Sequence, residues 1–219
     1  VRGQYGYKPT LPAIAGSEAF GIVDAVGEGV EGVAIGQRVT TAGARGAWAE
    51  YFVVPAASLV PVPDAIDDAS AAQLVAMPLS ALMLLEMLDV AAGDWIVQNA
   101  ANGAVGKALA MLARARGVNV LNLVRREEGI EEMAAQGIGN TVCTMHEGWK
   151  AQARDLMGGA RPKAAVDSVS GPASGVLCSL LGENGLLVSF GSMTGESMQI
   201  PSGELIFKQI TVKGFWGTP

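Results

Sequence analysis

Trp95-Ile96-Val97-Gln98-Asn99-Ala100-Ala101-Asn102-Gly103-Ala104-Val105-Gly106 runs an apolar tetrapeptide into a turn of small residues and then into a helix-forming stretch. Beyond it Val105, Ala108, Leu109 and Leu112 recur at helical spacing, Lys107 and Arg114 fall on other faces, and Gly117 is placed as a C-terminal stop. Strand, glycine-containing turn and helix in that order are the context a dinucleotide fingerprint requires. Read as G-x-G-x-x-G, the segment is Ala101-Asn102-Gly103-Ala104-Val105-Gly106, with alanine in place of the first glycine. Gly103 lets the backbone approach a pyrophosphate, and Gly106 lets the helix pack close to the sheet. The helix N-terminus offers main-chain donors and the positive end of a dipole. An ordinary glycine-rich βα turn would carry the same letters.

Outward from this unit the texture is an alternation of strands and helices, the pattern of a parallel sheet covered on both faces. Strands are expected at 118–124, 164–168, 186–190 and 210–215, and helices at 127–136 and 172–181. Toward the N-terminus, residues 1–63 are β-rich. Short apolar runs at 21–26 and 48–54 are separated by glycine, proline and charged turn signals. Leu59-Val60-Pro61-Val62-Pro63 is expected to end that sheet, since neither proline donates to a ladder. The boundary is set there, giving domains of 1–63 and 64–219. Asp67 or Asp68 is positioned to cap a helix running through Ala72, Leu74 and Val75, and a second helix is expected over 80–88. The fold class is α/β, a Rossmann-type parallel sheet preceded by a β-rich domain.

The end of the second strand bears on which dinucleotide is taken. A site for NAD usually has Asp or Glu about 20 residues past the turn, bonding the ribose hydroxyls. Here the strand ends Leu123-Val124-Arg125-Arg126. Two guanidinium groups in that place favour a 2′-phosphate, because arginine presents paired donors to phosphate oxygens. NADPH is therefore the expected cofactor. Glu127 and Glu128 follow directly, so a solvated charge run at a helix start is the competing account.

Bulk properties narrow the partners. The 219 residues are 50% apolar, carry a formal net charge of -6, and scatter their 15 Lys and Arg without a cluster. Nucleic acid and an anionic membrane surface are not expected partners, and a small-molecule substrate is. The apolar stretch over 74–92 is broken by Pro78, Glu86 and Asp89, unlike a span of roughly 20 residues. Cys143 and Cys178 are far apart and are expected to be reduced, structural thiols. Nothing at the first residue, Val1, suggests export, and a cytoplasmic place is expected.

On these residues the chain resembles the medium-chain dehydrogenase/reductase superfamily. In the first region the likeness is carried by Gly16-Ser17-Glu18, Gly21-Ile22-Val23, Val26-Gly27, Gly36-Gln37-Arg38-Val39 and Gly46-Ala47-Trp48-Ala49-Glu50-Tyr51. It implies that the β-rich domain is a partial GroES-like domain. Zinc members have His where Ser17 stands and a cysteine-rich lobe that this chain lacks, so no metal is expected. Within the superfamily the chain is most similar to the trans-2-enoyl-thioester reductases of mitochondrial fatty-acid synthesis, which would place a eukaryotic copy in the mitochondrial matrix. The segments concerned are Gly3-Gln4-Tyr5-Gly6, Gln98 to Asn102, Asn122 to Arg125, Phe190-Gly191-Ser192-Met193, and Ile206-Phe207-Lys208 leading to Gly214-Phe215-Trp216. The resemblance implies that Tyr5 is the catalytic tyrosine. It implies NADPH contacts from Asn102, Gly103, Ala104, Val105, Gly106, Arg125, Arg126, Phe190, Gly191, Ser192, Met193, Phe215 and Trp216. This chain departs from the family at Met77, where an asparagine is usual, and at Glu127, which replaces the second arginine of an Arg-x-Arg clamp. On the same likeness it is expected to be part of a longer enzyme, short of segments at both ends, and a homodimer.

The implied chemistry is hydride transfer to the β-carbon of an α,β-unsaturated thioester. A tyrosine hydroxyl, protonated at neutral pH with a reference pKa of about 10, hydrogen-bonds the developing enolate or supplies the α-proton. Tyr5 beside Gly3 and Gly6 also reads as an exposed turn aromatic. Phe215 and Trp216 read as walls of an apolar pocket or as plain core. Trp48 and Trp95 are assigned to packing, and His146 to the surface. Two other functions stay open: an NADPH-dependent quinone reductase of the same architecture, and a non-catalytic NADPH-binding or redox-sensing protein.

Overall fold

The structure, a computed structural model, describes Gly6 and residues 8–217. Its two units are Val1–Pro78 and Leu79–Pro219. Tyr5 lies outside the described residues. No described helix is long and apolar enough to cross a membrane.

In the first unit β1 (Glu18–Ile22) pairs antiparallel with β2 (Arg38–Ala42), which pairs antiparallel with β3 (Leu59–Pro61). The central strand buries Val39, Thr40 and Thr41. Pro61 faces Val39 from the outer strand, where a residue without an N–H is tolerated. Leu59 to Pro61 is thus the sheet's edge, not merely its end. The strand expected over 21–26 begins earlier, at Glu18, and ends at Ile22. The run at 48–54 is not a strand. Trp48, Tyr51 and Val53 are exposed and find no ladder partner among the described residues, and an apolar run without one does not make a strand. Asp67 caps α1 (Asp68–Ala71), its carboxylate accepting the Ser70 N–H at 3.0 Å and the Ser70 hydroxyl at 2.7 Å. That helix stops after one turn, short of Val75. The next, α2 (Ala76–Met87), starts ahead of Ser80 and holds Pro78 in its first turn, where a missing N–H costs no helical bond.

The second unit continues with β4 (Trp95–Gln98), α3 (Ala104–Ala115), β5 (Asn119–Val124), α4 (Glu128–Ala134), β6 (Thr141–Cys143), α5 (Trp149–Leu156), β7 (Ala164–Asp167), α6 (Pro172–Leu180), β8 (Leu186–Ser189), α7 (Ser202–Lys208) and β9 (Thr211–Gly214). The six strands are all parallel, in the order β6-β5-β4-β7-β8-β9. The chain starts the sheet at β4, winds outward one way through β6, then returns to β7 and winds the other way. This is the doubly wound Rossmann order, and its reversal lies between β4 and β7.

Strand alternation sends side chains into cores on both faces. Val97, Leu121, Ala165 and Leu187 pack with Leu177 and Cys178 of α6 and Ala153 of α5. Ile96, Val120, Val166 and Val188 pack with Leu84 and Leu85 of α2 and Leu109 and Ala113 of α3. Helix α3 ends as its sequence implies: Gly117 is left-handed at φ +72° and the Val118 N–H reaches back to the Ala113 carbonyl at 2.9 Å. Three elements of this unit, β6, α5 and α7, were not expected. β6 has only three residues and α7 leaves Ile206 and Phe207 exposed, so neither shows a readable apolar period, and α5 is short and polar on average, with Trp149 and Ala153 alone of its residues on the core.

Candidate functional site

The carboxyl ends of parallel strands are where an open α/β sheet binds ligands. All thirteen cofactor-binding residues singled out from the sequence lie at those ends or in the helix that follows. The turn after β4 is their centre. Ala100 holds its left-handed bend at φ +47°, a conformation that costs an L-residue about 1 kcal/mol. Ala101 stands for the first glycine of the fingerprint without strain: it is not left-handed, is fully buried, and packs with Ala110, Val124, Met133 and Cys143. Gly103 is the N-cap of α3 in extended backbone and supplies no side-chain acceptor. The N–H groups of Ala104, Val105 and Gly106 therefore have no partner within the helix, by the geometry of any α-helix start. Gly106 is required sterically. A Cβ there would sit 2.5 Å from the Ala101 carbonyl oxygen, whereas one at Gly103 would meet the Ala100 oxygen at 3.3 Å.

Beneath the turn lies a polar floor that sequence reasoning missed. Buried Gln98 donates through Nε2 to the Gly106 carbonyl at 2.8 Å and to Asn122 Oδ1 at 2.7 Å, and Asn122 Nδ2 donates to the Gly139 carbonyl at 2.8 Å. The two amides face each other in register on β4 and β5. Beside them Asn99 Nδ2 donates to Asp167 Oδ1 at 2.7 Å and Asn99 Oδ1 accepts the Ser168 N–H at 2.8 Å. Asp167 is wholly buried. It also accepts from the Val169 and Ser170 N–H groups and the Ser174 hydroxyl. The signal was available: polar residues at the ends of otherwise apolar buried strands need partners.

Arg125 and Arg126 follow β5 and are exposed, and among the described residues neither guanidinium has a salt bridge or hydrogen-bond partner. Unpaired cationic forks beside a helix N-terminus suit an anionic ligand. Asn102 is engaged: its Nδ2 donates to Glu132 Oε2 of α4 at 2.9 Å. His146 is a surface residue, as assigned, and its Nε2 lies 2.7 Å from Glu127 Oε1.

On the other side of the reversal, Gly191 crosses the loop after β7 so closely that a Cβ would lie 2.8 Å from the Ser168 carbonyl oxygen. The Phe190 and Gly191 N–H groups bond the Asp167 carbonyl at 2.9 and 3.3 Å. Ser192 and Met193 project into solvent. Phe190 and Phe215 meet edge to face with ring centroids 6.5 Å apart, at the ends of β8 and β9, half-buried against the α2–α3 core; Trp216 is exposed. Together these features form one edge of a single sheet, with main-chain donors, two free guanidinium groups and an aromatic pair.

Residues 104–219 match the family described as zinc-binding dehydrogenase, and residues 1–64 match the alcohol dehydrogenase GroES-like domain. The chain belongs to the zinc-binding dehydrogenase family, in the medium-chain dehydrogenase/reductase superfamily. It is 33% identical over 220 residues to the mitochondrial enoyl-[acyl-carrier-protein] reductase of Caenorhabditis elegans, covering 99% of this chain and 63% of that protein. It is 34% identical over 222 residues to the Bos taurus enzyme of the same name, covering 99% and 60%. Among solved structures, Escherichia coli quinone oxidoreductase complexed with NADPH superposes with a TM-score of 0.83 at 26% identity, over 96% of this chain and 65% of that one. The chain spans about three fifths of the length of these curated relatives. The zinc of the family's description does not fit the donors present. Among the described residues no three His, Cys, Asp or Glu are grouped to hold a metal, and the sequence has one histidine and two cysteines, both buried.

Proposed function

We propose that this chain belongs to an enzyme that uses NADPH to reduce the C=C bond of a 2-enoyl thioester. The observation carrying this is the pairing, at the reversal of one parallel sheet, of a helix start whose Gly106 admits no side chain with the unpartnered Arg125 and Arg126. The residues fit the dinucleotide. The Asn102 to Gly106 turn would take the pyrophosphate, the two arginines the 2′-phosphate, and Phe190 to Met193 with Phe215 and Trp216 the nicotinamide half. NADPH would supply the hydride that reaches the β-carbon. The Tyr5 hydroxyl would donate to the thioester oxygen as charge develops there and steady it. Residues 1–63 would then be the GroES-like catalytic part and 64–219 the cofactor-binding part.

A homodimer accompanies this reading. β9 ends the sheet with all four residues exposed, and next to it α7 displays Ile206 and Phe207, so a second copy adding its own β9 would satisfy the open edge. A place in the cytoplasm, or in the mitochondrial matrix if the protein is eukaryotic, also goes with it; the two enoyl reductases above are named as mitochondrial. Likeness to the Escherichia coli quinone oxidoreductase favours a second reading, reduction of a quinone by the same cofactor. The deciding experiment follows NADPH oxidation by the full-length protein with a panel of 2-enoyl-CoA esters and quinones. Turnover on enoyl esters is expected. Turnover on quinones alone reverses the order, and turnover on neither overturns both.

A further inference from the structure

Directly after the two arginines the chain places a carboxylate, and the structure shows where that carboxylate goes. Glu127 occupies the N-cap position of α4, yet makes no side-chain cap bond. Its Oε1 is instead 2.7 Å from His146 Nε2, in the loop after β6. That loop grips the arginine segment at two further points: the Thr144 N–H and hydroxyl donate to the Val124 carbonyl at 2.9 and 3.3 Å, and the Cys143 thiol donates to the Arg125 carbonyl at 3.4 Å. The other anchored acid of this corner, Glu132, is taken by the Asn102 amide. Both anchored acids are thus bonded to partners other than arginine, while the Arg125 and Arg126 guanidinium groups make no salt bridge or hydrogen bond among the described residues.

Without His146, the exposed Glu127 carboxylate would be free to turn toward the two guanidinium groups that precede it in the chain. A carboxylate settled on them would neutralise the charge an incoming phosphate needs. We propose that His146 is a specificity-determining residue: by engaging Glu127 it keeps Arg125 and Arg126 open for a 2′-phosphate, and so sets the preference for NADPH over NADH. The proposal rests on the NADPH reading given above. His146 touches no cofactor in this account, and acts only through Glu127.

Equilibrium titration of the full-length protein with NADPH and with NADH tests it. His146→Ala is expected to weaken NADPH about three- to fivefold, the range open to one exposed side-chain contact to a carboxylate, and to leave NADH unchanged. His146→Arg, which offers N–H donors to the same carboxylate, is expected to keep the wild-type ratio. In a Glu127→Gln background His146→Ala should cost nothing, because the carboxylate it restrains is gone. Wild type that favours NADH or binds neither nucleotide would overturn the underlying reading. Wild type that favours NADPH, with His146→Ala lowering both affinities equally or neither, overturns the role of His146 alone. An unchanged thermal midpoint in all variants assigns the effect to binding, not folding.

Discussion

Asn99 and Asp167 join the tips of β4 and β7 across the point where the strand order reverses, amide nitrogen to carboxylate oxygen at 2.7 Å. The same asparagine accepts the Ser168 N–H, so one side chain fixes the spacing of both loops that flank the proposed nucleotide crevice. Among the described residues Asp167 forms no salt bridge, and it has no exposed surface. Its charge is tolerated because the Asn99 amide, two backbone N–H groups and the Ser174 hydroxyl all point at it. Asn99→Ala removes one donor from a buried carboxylate and is expected to destabilise the protein by about 1.5–3 kcal/mol. Asp167→Ala strands four donors and should cost at least as much. Urea unfolding measures both, and an Asn99→Ala protein as stable as wild type would contradict the account.

Gly106→Ala asks the helix to move. The new methyl group would meet the Ala101 carbonyl oxygen at 2.5 Å, and backbone cannot step aside as a flexible side chain can. About 1–3 kcal/mol of stability is expected to be lost, with NADPH affinity falling as the helix start shifts. Gly103→Ala is the control. Its methyl group meets the Ala100 oxygen at 3.3 Å in backbone that is not left-handed, so the stability loss should be smaller while close approach of a phosphate is still hindered.

These two sites show what the sequence made legible. Val105, Leu109 and Leu112 carry a helical period, Gly106 and Gly117 punctuate it, and most strands of the second unit are short apolar runs; period and punctuation are local properties, and five of the sheet's six strands could be foreseen from them. The Asn99–Asp167 bond joins residues far apart in sequence: polarity at the end of an apolar strand says that each needs a partner, but nothing local says which. The same holds for Gln98 with Asn122 and for His146 with Glu127. The failed strand at 48–54 has the complementary cause. Its apolar residues were readable, but the presence of a neighbouring strand to pair with is a tertiary fact.

Arg125 and Arg126 should separate the two nicotinamide cofactors. Each guanidinium is exposed and unpaired, so removing one changes little in the free protein and much in a complex with a 2′-phosphate. Arg125→Ala and Arg126→Ala are each expected to weaken NADPH by about ten- to a hundredfold, the worth of a charge-assisted hydrogen bond, and to leave NADH nearly unchanged. Equal losses for both nucleotides would mean that the arginines do not meet the extra phosphate.

Cys178 sits fully buried in α6, and burial, with the negative charge of Glu204 adding to it, pushes its thiol up to about 11. The native state therefore holds the proton more tightly than the unfolded chain. The stability this confers is complete below the unfolded thiol's value near 9.0 and is lost as pH rises toward 11. At pH 8 the thiolate is about a thousandth of the population, so alkylation of Cys178 in the folded protein should be slow and should become fast in denaturant. Rapid labelling of Cys178 without unfolding would show that the α6 core opens.

Tyr5→Phe isolates a single oxygen. The ring remains, so binding of NADPH to the Asn102 to Gly106 turn is expected to be unchanged, and quinone reduction, which requires no dedicated acid, should persist. Reduction of an enoyl thioester places negative charge on the carbonyl oxygen, and loss of the hydroxyl that donates to it should lower kcat by about a hundredfold or more, with KM little altered. Steady-state rates with crotonyl-CoA and with a quinone on the same preparation supply the comparison. If both substrates lose equally, the tyrosine has a structural part; if the enoyl rate survives intact, the proton and the hydrogen bond come from elsewhere, and the quinone reading gains.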